Sequence, residues 1–255
     1  MKNANNKYPL KKKPLHYPGQ SLDKELELIK IDRLFYWTIF SMLFCVAMLE
    51  YYHYIGYPAQ PIFGFVTFGL FGIFTVYKDW KLQGKAKRVR LGSEGEKIVA
   101  QELDGLKQKG YSVFHDIVVT GNGSFNIDHV VISTKGIFAI ETKTVSKPVK
   151  ESPKVRYDGE KVVFSGGKFD FDSTKQVKAI AKWLSAELEK STGKAFQIKP
   201  VLVFPEWLVD EYTGKDLWIL NPKRLALYID KQPELISESD AHMVAYHLST
   251  INISQ

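Results

Sequence analysis

Two uncharged apolar runs near the start of the chain set its organisation. Leu34 to Leu49 carries no charge and is filled with Phe, Leu, Ile, Val and Met, and it continues through Glu50, Tyr51, Tyr52 and His53 to Gly56. The second run, Pro61 to Tyr77, reads PIFGFVTFGLFGIFTVY. Each approaches the roughly 20 residues needed to cross a hydrocarbon core. Between them Tyr57-Pro58-Ala59-Gln60-Pro61 supplies a turn. Aromatic side chains stand at both expected interfaces: Tyr36 and Trp37 at the entrance, Tyr51, Tyr52, Tyr54 and Tyr57 on the far side, Tyr77 and Trp80 at the exit. The pattern predicts a transmembrane helical hairpin over residues 34–77. A buried hairpin of a soluble protein is the competing reading, but such a pair rarely carries so little polar surface. Gly64, Gly69 and Gly72 are placed to let the two helices pack closely, and Glu50 is expected at the outer interface.

Beyond the hairpin the periodicity changes. Gly92–Gln108 repeats apolar residues at helical spacing (Val99, Leu103, Leu106), with Ser93 a possible N-cap and Glu96 three positions on. Glu96 shares the apolar stripe, so capping and a core-facing carboxylate both explain it. Tyr111–Val119, Asn126–Ser133 and Gly136–Val145 read as strands, with a turn cluster at Gly121-Asn122-Gly123-Ser124. Lys147–Gly166 reads as a polar hairpin turning at Asp158-Gly159. Asp172–Glu189 is an amphipathic helix with its stripe through Val177, Ile180, Ala181, Leu184 and Leu188. A strand at Lys199–Phe204, a short strand at Asp216–Leu220, and helices at Pro222–Ile229 and Asp240–Ile251 complete an α/β domain with a mixed sheet flanked by helices.

Charge adds topology to this picture. The chain carries a formal +7, but residues 1–33 hold +4, residues 78–92 hold +5, and residues 34–77 and 93–255 hold −1 each. The surplus flanks the hairpin and spares the large domain, which is a topology signal and not a nucleic-acid footprint. With no Lys or Arg in the connecting loop, both termini are expected in the cytoplasm, as in a multi-pass protein of a plasma membrane. The organisation expected is therefore a basic arm at 1–33, of which 1–20 is without structure, the hairpin at 34–77, a basic juxtamembrane helix or linker at 78–91, and the α/β domain at 92–255. The single cysteine, Cys45, excludes a disulfide framework and a Cys-rich zinc site. Low cysteine usage and this topology fit a bacterial membrane. A channel or transporter fits poorly, because the spans carry no ionisable residue in mid-membrane.

The informative residues lie on the central strands. Index sums for a hairpin turning at 134–135 or at 135–136 place Asp128 opposite Glu141 or opposite Lys143. In either register Asp128, Glu141 and Lys143 share one face. The rest of these strands is apolar and β-branched, where unpaired charge is costly. Solvated strand ends explain the cluster without function. Adjacent carboxylates, on the other hand, form a hard-oxygen site suited to Mg²⁺ or Mn²⁺.

Residues 92–204 resemble the NERD (nuclease-related) domain of the PD-(D/E)xK nuclease-like superfamily. The marks are Gly95-Glu96 in the first helix, Ile127-Asp128-His129, Ile140-Glu141-Thr142-Lys143, and Gln176 at the start of the next helix. The resemblance implies a restriction-endonuclease-like fold and metal-dependent hydrolysis of phosphodiester bonds in DNA or RNA. Asp128 and Glu141 are then the ligands of the ion, joined by the Thr142 carbonyl and by Glu96 directly or through water. Lys143 orients the attacking water or stabilises developing charge, and Gln176 positions phosphate or water. Ile127 stands where the superfamily pattern has proline. His129, on the opposite face from Asp128, is read as structural. Lys135, Lys147, Lys150, Lys154, Arg156, Lys175 and Lys178 are available for a local phosphate-binding patch. The alternative is an inactive nuclease-fold module that binds nucleic acid or a protein partner at the membrane.

Overall fold

The computed structural model describes residues 16–56, 62–119, 125–146, 153–170 and 172–254. The turn expected at 57–61, the Gly-rich turn at 121–124 and residues 1–15 of the N-terminal arm lie outside them. The chain divides into two compact units, Ser21–Leu91 and, with the N-terminal residues to Gln20, Gly92–Gln255.

The first unit is built from α1 (Gln20–Gly56) and the apolar part of α2 (Ile62–Gln108). Both helices are long and apolar enough to cross a membrane, and only 6% and 11% of their apolar windows are buried. Leu34, Phe35, Leu49, Phe63 and Ile73 are each more than half exposed, so the apolar faces of these helices are largely not packed inside the structure. The helices meet where small residues allow it. Phe40 and Phe68 stack at 4.7 Å, and a Cβ on Gly72 would lie 2.9 Å from the Phe40 ring. At one end the Arg33 Nε donates to Asp79 Oδ1 at 2.5 Å, and the Gln83 amide donates to the other carboxylate oxygen.

Sequence reasoning starts a helix at Gly92 with Ser93 as its cap. The structure overturns this: α2 has no break there, because the preceding Lys-, Arg- and Leu-rich stretch is itself a good helix former. Ser93 lies inside the helix and is buried. Capping therefore no longer explains Glu96, which is a buried carboxylate.

The second unit is α/β, with two mixed sheets flanked by helices. Its strands are β1 (Ser112–Val119), β2 (Phe125–Ser133), β3 (Gly136–Thr142), β4 (Lys154–Tyr157), β5 (Val162–Phe164), β6 (Phe169–Asp170), β7 (Ile198–Val203), β8 (Leu208–Val209), β9 (Tyr212–Thr213) and β10 (Trp218–Leu220). Its helices besides the end of α2 are α3 (Asp172–Thr192), α4 (Pro222–Asp230) and α5 (Glu238–Ser254). The larger sheet has the order β1-β2-β3-β7-β10-β9. The first three strands are antiparallel, β7 joins β3 in parallel, and β10 joins β7 in parallel.

Strand β3 lies between an antiparallel and a parallel neighbour, and all seven of its residues are buried. Its two faces serve two cores. Ile137 and Ala139 pack with Val130, Ile132, Ile180, Leu184 and Leu188 under α3, whereas Phe138 and Ile140 pack with Val99, Leu103 and Leu106 of α2. The expected stripe of α3 is the buried one. The β2–β3 hairpin turns at Thr134–Lys135, with Ser133 opposite Gly136 and His129 opposite Ile140. Gly136 has φ +118°, a conformation that L side chains rarely adopt.

The second sheet, β6-β5-β4-β8, was only half legible: the β4–β5 hairpin was expected, but β6 and β8 are two-residue strands with no periodicity to read. Its inner face (Val155, Val162, Phe164) closes on Val177, Leu202, Phe204 and Trp207.

Candidate active site

The residues Asp128, Glu141, Lys143 and Gln176 come from β2, the end of β3 and the start of α3. Asp128 and Glu141 project from β2 and β3 on the α3 side of the sheet, in the same parity as Val130 and Ala139. Lys143 follows one residue beyond β3, and its backbone N–H donates to the Val203 carbonyl of β7 at 2.9 Å. Gln176 reaches in from the start of α3.

These side chains form one hydrogen-bonded set. The Gln176 amide donates to Glu141 Oε1 at 2.7 Å, and Lys143 Nζ donates to Gln176 Oε1 at 3.1 Å. Lys143 also stands 3.4 Å from Glu141 Oε1. Across the hairpin the Thr142 backbone N–H donates to Asp128 Oδ2 at 2.7 Å. Sequence reasoning gave Thr142 a role through its carbonyl; the contact seen here is through its N–H, which fixes the Asp128 carboxylate.

Burial makes the cluster electrostatically tense. Glu141 is 4% exposed and Glu96 is 7% exposed, while Asp128 is half-buried. Desolvation, then the neighbouring Glu141 and Glu96, push the Asp128 pKa well above the usual carboxylate range. Burial also raises Glu141, against the opposing pull of Lys143. The negative charges of Glu141 and Glu96 both act on Asp128, an arrangement that favours a compensating cation.

The donor chemistry fits a hard divalent ion. Glu141 Oε2 is buried and has no hydrogen-bond partner among the described residues. Such an atom is costly unless something binds it. No three His, Cys, Asp or Glu among the described residues converge into a ready-made metal cage. Mg²⁺ does not need one, because it keeps several waters and takes one or two carboxylates.

Two features had no sequence signal. Asp116 adopts φ 48° inside β1, at the one position where β1 would pair with Asp128; the ladder is intact at His115–His129 and Ile117–Ile127. Its carboxylate accepts from Asn126 at 3.1 Å. A left-handed non-glycine residue inside a strand is unusual, and such strain gathers at functional sites. On the opposite face His115 and His129 share a 2.8 Å Nδ1–Nδ1 hydrogen bond, and neither Nε2 has a partner among the described residues. Burial lowers the pKa of His115 to about 4 and that of His129 well below its ordinary value. His129 is thus part of the packing behind the site. Of the proposed basic patch, Lys178 pairs with Asp216 at 2.6 Å, and Lys147 and Lys150 lie outside the described residues.

Residues 91–205 match the family model of NERD, the nuclease-related domain. An uncharacterized protein of Bacillus anthracis is 34% identical over 113 residues, which cover 42% of this chain and 53% of that protein. The chain thus spans about half the length of that relative. Among solved structures, Pyrococcus furiosus SfsA in complex with Ca²⁺ aligns over 67% of this chain and 55% of its own, at 16% identity. Its TM-score of 0.23 is too low for the likeness to carry an argument.

Proposed function

We propose that this chain is a membrane-anchored, divalent-metal-dependent nuclease of the PD-(D/E)xK type, hydrolysing phosphodiester bonds of DNA or RNA on the cytoplasmic face. The observation that carries the reading is the buried, unpartnered Glu141 Oε2 beside Asp128, within a set completed by Lys143 and Gln176. Mg²⁺ or Mn²⁺ held by Asp128 and Glu141, with Glu96 and the Thr142 carbonyl at the margin, supplies polarisation of the phosphate and a bound water of lowered pKa. The chain's own groups do the rest. The Thr142 N–H keeps Asp128 from swinging away and favours its ionised form, against the opposing effect of burial and of the neighbouring carboxylates. Lys143 brings a positive charge to the strand end, where it balances charge that develops on the phosphate. Gln176 holds Glu141 and Lys143 in one geometry through its two amide atoms.

The helical hairpin serves as the anchor. Its basic flanks and uncharged loop are consistent with both ends facing the cytoplasm of a bacterial cell.

The test is cleavage by the full chain in detergent, using duplex DNA, single-stranded DNA and RNA with Mg²⁺, Mn²⁺ or EDTA. Cleavage requires the metal and falls about a hundredfold or more in Glu141→Ala and in Lys143→Ala. Absence of cleavage by the folded protein on every substrate would leave a module that binds without cutting. Cleavage surviving both substitutions would place the chemistry elsewhere.

A further inference from the structure

The small sheet presents an outer face unlike an ordinary solvated surface. Side chains alternate across its strands, and one set (Val155, Tyr157, Val162, Phe164, Val209) faces the core beneath. The other set faces outward, and the register aligns it in rows. Arg156 pairs with Val163 and Val163 with Phe169, so one row runs from guanidinium to aromatic ring across three strands. In the adjacent row Lys154 pairs with Leu208. Phe169 is 60% exposed and Leu208 57%.

The charges on this face are not already neutralised. Lys154 and Arg156 are exposed, and neither enters a salt bridge among the described residues. Lys161 stands 5.0 Å from the centre of the Phe169 ring. Of the acidic residues of the same segment, Asp170 and Asp158 are engaged in local backbone contacts. Asp170 sits in the inward parity, opposite Val162, and accepts from the N–H groups of Asp172 and Ser173 at the start of α3. Asp158 accepts from the N–H groups of Glu160 and Lys161 in the hairpin turn.

This sheet is also tied to the candidate active site. Residues 169–170 lead directly into α3, whose first turns carry Gln176. The Thr174 hydroxyl donates to the Glu160 carbonyl at 3.4 Å, and Trp207, one residue before Leu208, donates its indole N–H to the Val145 carbonyl at 3.1 Å.

We infer that the outer face of β4–β6 and β8 is a binding platform for a single-stranded nucleic acid, with bases on Phe169 and phosphates on Arg156 and Lys154. A flat aromatic ring and flanking cations on a sheet suit splayed bases, whose π-faces are hidden in a duplex. The inference extends the nuclease reading by giving its substrate class: a single strand, or a single-stranded region of a folded one.

Binding is measured by fluorescence anisotropy with the full chain in detergent and EDTA, which separates binding from cleavage. The probes are labelled 20-mer oligo-dT, 20-mer oligo-rU and a 20-base-pair DNA duplex. Single strands bind more tightly than the duplex. Phe169→Ala weakens single-strand binding about 5- to 100-fold, the range of one lost base stack, and Phe169→Trp restores it. Arg156→Glu weakens both probes and flattens the salt dependence. The two strand probes distinguish DNA from RNA. Unchanged affinity in Phe169→Ala, or a duplex bound as well as the single strands, overturns the platform. If the wild type cleaves while Phe169→Ala changes nothing, the platform fails and the nuclease reading stands. Binding that depends on Phe169 in a protein that never cleaves gives the reverse result.

Discussion

The histidine pair shows what single residues contribute behind the site. His115 and His129 are buried, share one proton-mediated contact and have unpartnered Nε2 atoms. Their folded-state pKa values lie below the ordinary value of 6.5. Between pH 6.5 and about 4 the unfolded chain therefore binds protons that the folded chain refuses. Stability is full above pH 6.5 and falls as the pH drops through this window. His115 alone contributes on the order of a few kcal/mol to that loss. The expected outcome is a denaturation midpoint that falls between pH 7 and 5 and falls much less in His115→Phe. Candidate residues were legible in the chain at this scale because carboxylates and an amine on β-branched strands stand out. Asp116 was not, since a left-handed residue inside a strand leaves no mark on periodicity. Glu96 was ambiguous until the helix around it was seen to have no first turn to cap.

Among the elements, α2 gives the sharpest contrast between two glycines. A Cβ on Gly95 would come within 2.0 Å of the Thr144 methyl and 3.6 Å of the Thr142 methyl, whereas Gly105 has nothing within 4 Å. Gly105→Ala is expected to stabilise the protein by about 0.5–1 kcal/mol through helix propensity alone. Gly95→Val is expected to destabilise it by about 1–3 kcal/mol and to disturb the Lys143 segment. Chemical denaturation of both variants decides this. Strong periodicity explains why α3 and the central strands were readable. The start of α2 was misread because good capping residues mean little when the preceding residues also favour helix. The two-residue strands β6, β8 and β9 exist only through their partners, so no local pattern announces them.

At the scale of the whole molecule, the exposed apolar surface of the hairpin makes water an unsuitable surrounding for residues 34–77. The full chain is expected in the membrane fraction, resistant to alkaline carbonate and released by detergent. A variant lacking residues 1–77 is expected in the soluble fraction. Recovery of the full chain in the soluble fraction would remove the anchor from the proposal. The two long apolar helices were legible here from the uncharged runs, while the course of the connecting loop lies outside the described residues.

The parallel pairing of β3 with β7 also has a consequence in time. Glu141 and Thr142 pair with Leu202 and Val203, and Lys143 is held by the Val203 carbonyl, about sixty positions further along the chain. During synthesis the first three strands leave the ribosome before the strand that completes their sheet. A nascent chain therefore holds all three residues of the D…E-x-K set without the scaffold that aligns them. The candidate site is therefore assembled only after most of the domain has emerged.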